Sequence, residues 1–305
     1  MRAARVPLVV TALLVALAPA AHGEPHVSTK AAERTPLARF STTYAHDSEH
    51  HARAFNVQLA AEAIDGKVIL PGATLSFNDT VGERTAAFGY EKSIVLRDHM
   101  LAEGTGGGTC QVASTLHAAA LLAGLDIVAR APHSRPSAYI RMGLDATVVF
   151  SKVDLKLKNP RADRVVVHAR ATRGTLDVWL DADGPRPAVT LTSEIVERVP
   201  FERTTEPLAT GDRPLAPDTL RVKAFGIPGF KVQRTRVVRA ADGTERRDVR
   251  VDEYPPTPEV LVVPASFDDD DALPTKRDDT GVVAPTPLQL RPSTRVVLEN
   301  TAPTP

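Results

Sequence analysis

A glycine-rich segment that runs directly into a helical pattern places the strongest constraint on how this chain folds. Residues 104–109 read Gly-Thr-Gly-Gly-Gly-Thr, and the next residue, Cys110, is the only cysteine in the chain. Successive glycines adopt backbone conformations that a Cβ forbids and let other groups approach the main chain closely. A helix that begins here directs its unpaired N–H groups and its positive dipole end at the thiol, which lowers the pKa of a cysteine. The sequence therefore predicts a reactive cysteine at the start of a helix over residues 110–123.

The pattern around this segment predicts an α+β fold. Thr109 is the expected N-cap of the helix and Gly124 its expected stop, and small residues along one face favour close packing against a sheet. A second helix is predicted over residues 50–64, and residues 97–109 are predicted to be a loop. Runs rich in β-branched residues and bounded by turn residues predict strands at residues 40–44, 68–70, 74–78, 90–96, 125–129, 145–150, 153–157, 164–170 and 175–180. We expect a mixed or antiparallel sheet packed on a central helix that begins at Cys110.

Changes in composition divide the chain into five segments. Basic residues near the N-terminus, an apolar run and a small-x-small site at residues 21–23 predict a signal peptide over residues 1–23. A mobile lead-in, residues 24–39, precedes the α+β domain, residues 40–184. Residues 195–263 are β-branched and charged with a hairpin signal at residues 241–243, which predicts a small, elongated all-β module. The proline- and aspartate-rich residues 264–305 can bury little apolar area and are predicted to be disordered.

Charge and cysteine content exclude several classes of function. Lys and Arg together number 37, as do Asp and Glu, so no global basic field is available to attract nucleic acid. A single cysteine forms no intramolecular disulfide, and no Walker lysine follows the glycines, which excludes a P-loop. The signal peptide predicts a secreted or periplasmic protein of a bacterial cell envelope, with an uncleaved anchor as the alternative. No later segment is long and apolar enough to span a membrane.

Three residues follow one another in the order nucleophile, base and orienter: Cys110, His133 and Asp145. In such a site the histidine takes the thiol proton, the carboxylate fixes the histidine tautomer, and helix N–H groups or the Gln111 side chain hold the oxyanion. The residues predicted to contact a ligand are Gly106, Gly107, Gly108, Thr109, Gln111, Ser114 and Arg135. Two alternatives stay open at this point. Either the loop binds an anion without chemistry, helped by Arg135 or Arg141, or the cysteine only packs and the glycines only turn the chain.

Other histidines and acidic residues are given structural interpretations. His46, His50 and His51 lack the glutamate and third ligand of a metalloprotease signature, so we interpret them as a solvated helix start. His117 lies two turns after Cys110 and is expected to be an interior histidine. Four aspartates at residues 268–271 are interpreted as a solvated charge run. The sequence predicts no metal site and no cofactor.

Several motifs in the α+β domain together resemble the VanW family, which is named after an accessory protein of vancomycin-resistance clusters. They lie in order at residues 77–78, 81–82, 84–85, 89–90, 106–111, 114–116, 119–125, 133–136 and 145–148. The resemblance implies a secreted or envelope-facing bacterial protein linked to peptidoglycan, and it implies no mechanism. Residues 196–263 resemble the glycine-named extracellular module that often accompanies VanW domains and is associated with binding wall glycans. Residues 225–232 and the hairpin at residues 242–243 carry this second resemblance.

These observations predict a protein that acts on or recognises peptidoglycan or its peptide stems. With a working thiol, the expected chemistry is acyl transfer by an amidase, peptidase or transpeptidase, with Cys110 as nucleophile, His133 as base and Asp145 as orienter. The alternative is a noncatalytic peptidoglycan-binding or scaffold protein that uses the glycine-rich loop to bind an anionic ligand.

Overall fold

A computed structural model describes residues 36–97, 100–268, 270, 272–282, 284–285 and 295–300. The predicted signal peptide, residues 1–23, and most of the predicted lead-in lie outside the described residues. Two residues at the end of the predicted lead-in, Ala38 and Arg39, belong to the first strand instead. Within the described part of the chain, no helix is long and apolar enough to cross a membrane.

Helical segments are few and short. The α-helices are α1 (His51–Ile64), α2 (Phe77–Val81) and α3 (Thr109–Leu122), and short 3-10 helices cover Ser48–His50 and Ala86–Phe88. The first helical segment begins at Ser48, two residues before the predicted start at residue 50, because the Asp47 side chain accepts hydrogen bonds from the N–H groups of Glu49 and His50. Residues 77 and 78 were expected to end the strand that begins at residue 74. They begin α2 instead, because Ser76 caps the turn by accepting from Asp79 N.

Strands make up most of the remaining regular structure in the described residues. In the first half they are β1 (Ala38–Thr43), β2 (Val68–Ile69), β3 (Thr74–Ser76), β4 (Lys92–Arg97), β5 (Met100–Thr105), β6 (Asp126–Ala129), β7 (Lys156–Lys158), β8 (Val165–Thr172) and β9 (Thr175–Ala182). In the second half they are β10 (Ala188–Val199), β11 (Arg203–Pro207), β12 (Thr219–Ala224), β13 (Gly229–Arg239), β14 (Glu245–Tyr254), β15 (Glu259–Val263), β16 (Lys276–Asp278) and β17 (Arg295–Glu299). The α+β fold class is confirmed.

One sheet of the α+β domain is antiparallel, with strand order β1-β9-β8-β2. Alternate residues of its strands are buried, and Gly174 has the positive φ that the tight β8–β9 turn requires. α1 and α3 pack on this sheet. Helix α3 is buried along nearly its whole length because its residues are small or apolar, and its second half is mostly alanine and leucine.

The C-terminal strands, β10 to β17, form two four-stranded sheets with orders β14-β13-β10-β17 and β11-β15-β12-β16. The first of these sheets contacts α3 through β10, and buried Leu191 belongs to the same hydrophobic core as the α+β domain. All of the described residues fall into one compact unit. The C-terminal strands therefore share part of their core with the domain that carries Cys110.

Three sequence-based predictions differ from the structure. Residues 97–109 were expected to be a loop, but β5 pairs with β4 over six residue pairs, since strand pairing overrides the weak propensity of this glycine-containing stretch. Residues 145–150 form only isolated bridges, Ala131 with Thr147 and Val149 with Val153. Disorder was predicted for residues 264–305, yet β16 pairs with β12 and β17 with β10, so backbone pairing orders segments that have little apolar area of their own.

Candidate active site

Cys110 lies in the first turn of α3 and is partly exposed. The N-cap is Gly108, at φ 110°, which is a conformation that favours glycine over the expected Thr109. The Cys110 Sγ lies 3.5 Å from both the N and the O of Val148. The thiol can therefore donate to the Val148 carbonyl, whereas a thiolate can accept from the Val148 N–H.

The three glycines before Cys110 are packed against the protein itself. A Cβ at Gly106 would lie 2.7 Å from the Arg84 Cβ, and one at Gly107 would clash with Ser93 Oγ and the Ile94 carbonyl. A Cβ at Gly108 would lie 2.8 Å from Val57 Cγ2. At each of these glycines the space that a side chain would occupy is therefore filled by the protein itself, so the expectation that this space is open to a ligand is wrong. Their absent side chains let the loop pack tightly and bring Cys110 to its place.

His133 and Asp145 are brought together directly. Asp145 Oδ2 accepts from the His133 backbone N at 2.7 Å and lies 2.8 Å from its Nδ1. Both side chains are buried, with 6% of His133 and 1% of Asp145 exposed. Since the carboxylate can only accept, Nδ1 carries the proton and Nε2 is left for other partners.

The ring of His133 also interacts with a tyrosine and with the thiol. Its Nε2 lies 3.3 Å from the Tyr139 hydroxyl, and the imidazole also interacts with the Cys110 thiol. Burial raises the pKa of the Cys110 thiol, but the hydrogen bond and charge of His133, the Val148 backbone and the charge of Arg84 lower it, and the resulting pKa lies below the usual value. Burial lowers the pKa of His133, but Tyr139, Asp145 and Cys110 raise it well above its usual value. Together these shifts favour a thiolate–imidazolium pair.

The other oxygen of Asp145 is held by two residues that sequence reasoning missed. Arg130 Nη2 donates to Asp145 Oδ1 at 2.9 Å, and the Tyr254 hydroxyl donates to the same atom at 2.5 Å. A second carboxylate, Asp252, pairs with Arg130 Nη1. Burial raises the pKa of Asp145, but His133, Arg130 and Tyr254 lower it well below its usual range. Asp145 is therefore a buried, ionised and fully hydrogen-bonded carboxylate.

Backbone geometry around α3 leaves one N–H group in its first turn for a ligand. The N–H groups of Thr109, Gln111 and Val112 donate to the carbonyls of Gly106 and Gly108. Among the described residues, the N–H of Cys110 has no such backbone acceptor. It is therefore the candidate donor to an oxyanion formed next to Sγ.

The remaining predicted ligand-contacting residues have other partners. Gln111 Nε2 donates to Thr42 Oγ1 and to the Thr43 carbonyl in β1, so its side chain is bound away from the thiol and its expected oxyanion role is wrong. Thr109 Oγ1 donates to the Gly106 carbonyl. Ser114 Oγ donates to the Cys110 carbonyl at 2.7 Å and accepts from Ala146 N at 2.8 Å. These contacts fix the loop, the helix and residues 145–148 against one another.

Partly buried arginines surround the loop that carries the thiol. Arg53 contacts Gly108 and lies with its guanidinium 5.9 Å from the centre of the Tyr139 ring, whereas Arg84 contacts Gly106. Arg84 donates only to neutral acceptors, the Gly82 carbonyl and Asn78 Oδ1. Within the described part of the chain, neither of these arginines nor Arg135 forms an ion pair. The region near the thiol is therefore electropositive.

His117 is an interior histidine, as predicted. Its Nδ1 lies 2.7 Å from the Leu144 carbonyl, and its Nε2 lies 3.5 Å from Arg234 Nη1. At the start of the first helical segment, His50 pairs with Asp47, and no group of three or more metal-binding side chains occurs in the part of the chain that the structure describes.

Comparison with known proteins matches the segment that contains the three central residues. The family described as VanW like protein matches residues 52–180, which include Cys110, His133 and Asp145. The matched range ends before the C-terminal strands, so Asp252 and Tyr254 lie outside it.

Two known proteins are similar to part of this chain. The uncharacterized protein YoaR of Bacillus subtilis (strain 168) is 37% identical over 155 residues, which cover 51% of this chain and 49% of that protein. The vancomycin B-type resistance protein VanW of Enterococcus faecalis (strain ATCC 700802 / V583) is 29% identical over 136 residues, covering 43% of this chain and 46% of that protein. The chain thus spans about half the length of these relatives.

Proposed function

We propose that the protein is a cysteine-dependent acyl-transfer enzyme that acts on the peptide stems of peptidoglycan. The observation that carries this proposal is the position of His133, whose Nδ1 is held by Asp145 while its ring interacts with the Cys110 thiol. A thiol, an imidazole and a buried carboxylate in this sequence of contacts are what nucleophilic catalysis by cysteine requires. Substrate, location and reaction are each part of the proposal.

The reaction follows from the order of these contacts. The Cys110 thiolate attacks the carbonyl carbon of an amide, and the N–H of Cys110 stabilises the oxyanion that forms on the carbonyl oxygen. The His133 imidazolium gives a proton to the leaving amine as the C–N bond breaks, which leaves a thioester on Cys110. Neutral His133 then takes a proton from water or from a second amine as that nucleophile attacks the thioester, and the C–S bond breaks to return the Cys110 thiolate. Attack by water gives a peptidase or amidase, and attack by an amine gives a transpeptidase.

The substrate class is argued from location, charge and relatives. The predicted signal peptide directs the chain out of the cytoplasm, so we propose a secreted or periplasmic location. One relative is named a vancomycin B-type resistance protein, and the resemblance to the VanW family implies a link to peptidoglycan. Arg53 and Arg84 next to the glycine loop favour a substrate that carries carboxylates, as wall peptides do. The resemblance of residues 196–263 to a module associated with binding wall glycans predicts a second contact with the cell wall.

The test compares wild type with Cys110→Ala and Cys110→Ser on purified peptidoglycan. We expect wild type to release or crosslink muropeptides, detected by liquid chromatography and mass spectrometry, and both variants to leave the muropeptide pattern unchanged. Ser41→Ala is a matched control, because Ser41 is exposed on β1 and contacts only Asp177 among the described side chains. A wild-type pattern identical to the untreated wall would contradict the enzyme.

A noncatalytic function is the second candidate, and the unpaired arginines near the thiol favour it. In that case the electropositive region binds a wall carboxylate without bond cleavage.

A sedimentation assay with peptidoglycan tests this alternative. Wild type and Cys110→Ala would then sediment equally with peptidoglycan and neither would change it. Loss of sedimentation in Arg53→Gln would identify the arginine as part of the binding surface.

A further inference from the structure

The end of strand β14 reaches the centre of the candidate site. Most of this strand is exposed, but its residues Asp252 and Tyr254 are buried, and residues two apart on a strand face the same side. Both buried residues are polar. Burying a carboxylate and a tyrosine hydroxyl costs free energy unless each has a partner, so a strand end that only packed would carry apolar residues here.

Tyr254 contacts Asp145 directly, and Asp252 reaches it through Arg130. The Tyr254 hydroxyl donates to Asp145 Oδ1 at 2.5 Å and accepts from the Gly143 backbone N at 2.7 Å. Asp252 Oδ1 pairs with Arg130 Nη1, while Arg130 Nη2 and Nε donate to the Oδ1 and the backbone carbonyl of Asp145. Tyr254 is 1% exposed, and the Arg130 side chain is fully buried. Every polar atom of the Asp145 and Tyr254 side chains thus has a partner, whereas Asp252 Oδ2 is buried without a hydrogen-bond partner among the described residues.

The two oxygens of Asp145 thereby have separate tasks. Oδ2 accepts only from His133, through its backbone N and its Nδ1. Oδ1 accepts only from Arg130 and Tyr254 among the described residues. Because both donors to Oδ1 are fixed in turn, by Asp252 and Gly143, the carboxylate cannot rotate without breaking these bonds. Its Oδ2 stays aimed at the imidazole.

We propose that Tyr254 and Asp252 of the C-terminal strands are positioning residues of the active site, Tyr254 acting directly on Asp145 and Asp252 acting through Arg130. This inference rests on the proposed role of Asp145 as the residue that orients His133. It assigns a catalytic contribution to a part of the chain outside the matched VanW-like range, residues 52–180. The C-terminal strands are then required for the chemistry as well as for any contact with the wall.

The test removes the hydroxyl and follows His133. In Tyr254→Phe we expect Asp145 to lose its fixed orientation, so the imidazolium of His133 is less stabilised and its pKa falls. The pKa is read from ring ¹⁵N chemical shifts of the full chain across a pH series. The charged and titratable groups facing His133 are Cys110, Tyr139 and Asp145, and those facing Asp145 are Arg130 and Tyr254; all except Tyr254 are kept. A His133 pKa equal to or above that of wild type overturns the proposal.

Two further variants separate positioning from stability. Val222→Ala removes part of a buried side chain in β12, away from Asp145, and should lower the melting temperature while leaving the His133 titration unchanged. Asp252→Asn keeps the side-chain shape and removes the charge that holds Arg130, so it should shift the His133 titration in the same direction as Tyr254→Phe. If Val222→Ala shifts the titration as much as Tyr254→Phe does, the role of β14 is structural and the proposal fails.

Failure of this inference and failure of the proposed function give different results. A wild type that leaves peptidoglycan unchanged contradicts the enzyme, whatever the titration shows. Tyr254→Phe should also slow iodoacetamide alkylation of Cys110 at pH 7 by about tenfold, because one unit in the pKa of a thiol changes its thiolate fraction by that factor. An active wild type with unaltered titration and alkylation in Tyr254→Phe would contradict only the positioning role.

Discussion

Two buried histidines, His117 and His133, contact adjacent residues of the chain but have opposite surroundings. His133 is bound through Nδ1 to the carboxylate of Asp145, whereas His117 is bound through Nδ1 to the backbone carbonyl of Leu144, the residue before Asp145. For both rings burial lowers the pKa. At His133 the neighbours Tyr139 and Asp145 reverse this effect, so the pKa lies well above the usual value. At His117 the charges of Arg130 and Arg234 add to it, so the pKa lies well below.

The comparison shows that burial alone does not decide what a histidine can do. A neutral carbonyl and two arginines hold His117 as a neutral ring that can serve only structure. A carboxylate one residue further along the chain makes His133 able to carry a proton next to a thiol. The Asp145 carboxylate is therefore the group that distinguishes the protonation of His133 from that of His117.

The largest expected effect comes from making the surroundings of His133 resemble those of His117. Asp145→Asn replaces the charged acceptor by an amide, so the imidazolium loses its counter-charge and the tautomer is no longer fixed. We expect kcat/KM for muropeptide release to fall by about ten-thousand-fold, as when a triad aspartate is neutralised. The alkylation profile of Cys110 should move to higher pH. Retained activity with an unmoved profile would show that Asp145 does not orient His133.

A smaller effect is expected on the other side of the comparison. His117→Asn keeps a donor for the Leu144 carbonyl but removes the titrating ring, and we expect it to lower the free energy of unfolding by about 1–3 kcal/mol at pH 8. In wild type the folded pKa of His117 is below the unfolded value of about 6.5, so the unfolded state binds more protons and stability falls as the pH drops below that value. The variant should lack this contribution.

The measurement is urea unfolding of wild type, His117→Asn and His133→Asn between pH 5 and pH 9. His133 has the opposite sign, since its folded pKa is raised: its contribution is fully present below about pH 6.5 and is lost as the pH rises through the folded value. His133→Asn should therefore weaken the pH dependence of the free energy of unfolding at alkaline pH, and His117→Asn should weaken it at acid pH. The same acid dependence in wild type and His117→Asn would contradict the assignment of a neutral His117.

The smallest effect is expected from Tyr139→Phe. The Tyr139 hydroxyl lies 3.3 Å from His133 Nε2, a long contact, and Asp145 still holds the opposite side of the ring. We expect kcat to change by only about threefold, within the range of one weak neutral hydrogen bond. The measurement is steady-state muropeptide release, with Phe77→Leu, a fully buried residue of α2, as a packing control. A loss comparable to that of Asp145→Asn would make Tyr139 a principal partner of His133.

Local sequence patterns predicted those parts of the fold that depend on local chemistry. The β8–β9 hairpin follows from the alternation of its strands around Gly174, and the 3-10 turn that leads into α1 follows from its capping residue Asp47. By contrast, β5 exists because β4 lies beside it, and β17 exists because β10 offers an unpaired edge. No pattern within five or ten residues contains that information. Long-range pairing decides such segments.

The same distinction applies to the site. Cys110, His133 and Asp145 could be proposed from their residue types and their order in the chain, and the structure brings these three together. Arg130 and Tyr254 could not, because nothing around either residue indicates that its partner is Asp145, and Tyr254 is 109 residues from it in sequence. The glycines were assigned the wrong task for the same reason. Only the fold shows that Arg84, Ser93 and Val57 already fill the space beside them.

Ser114 connects the segment that carries Cys110 to the segment that carries Asp145. Its hydroxyl joins the first turn of α3 to residue 146, and the Val148 backbone meets the Cys110 sulfur from the same segment that carries Asp145. These bonds connect α3 directly to residues 145–148. With a single cysteine, this chain has no intramolecular disulfide to join the two segments. The two hydrogen bonds of Ser114 join them instead and hold the spacing between the thiol and the carboxylate.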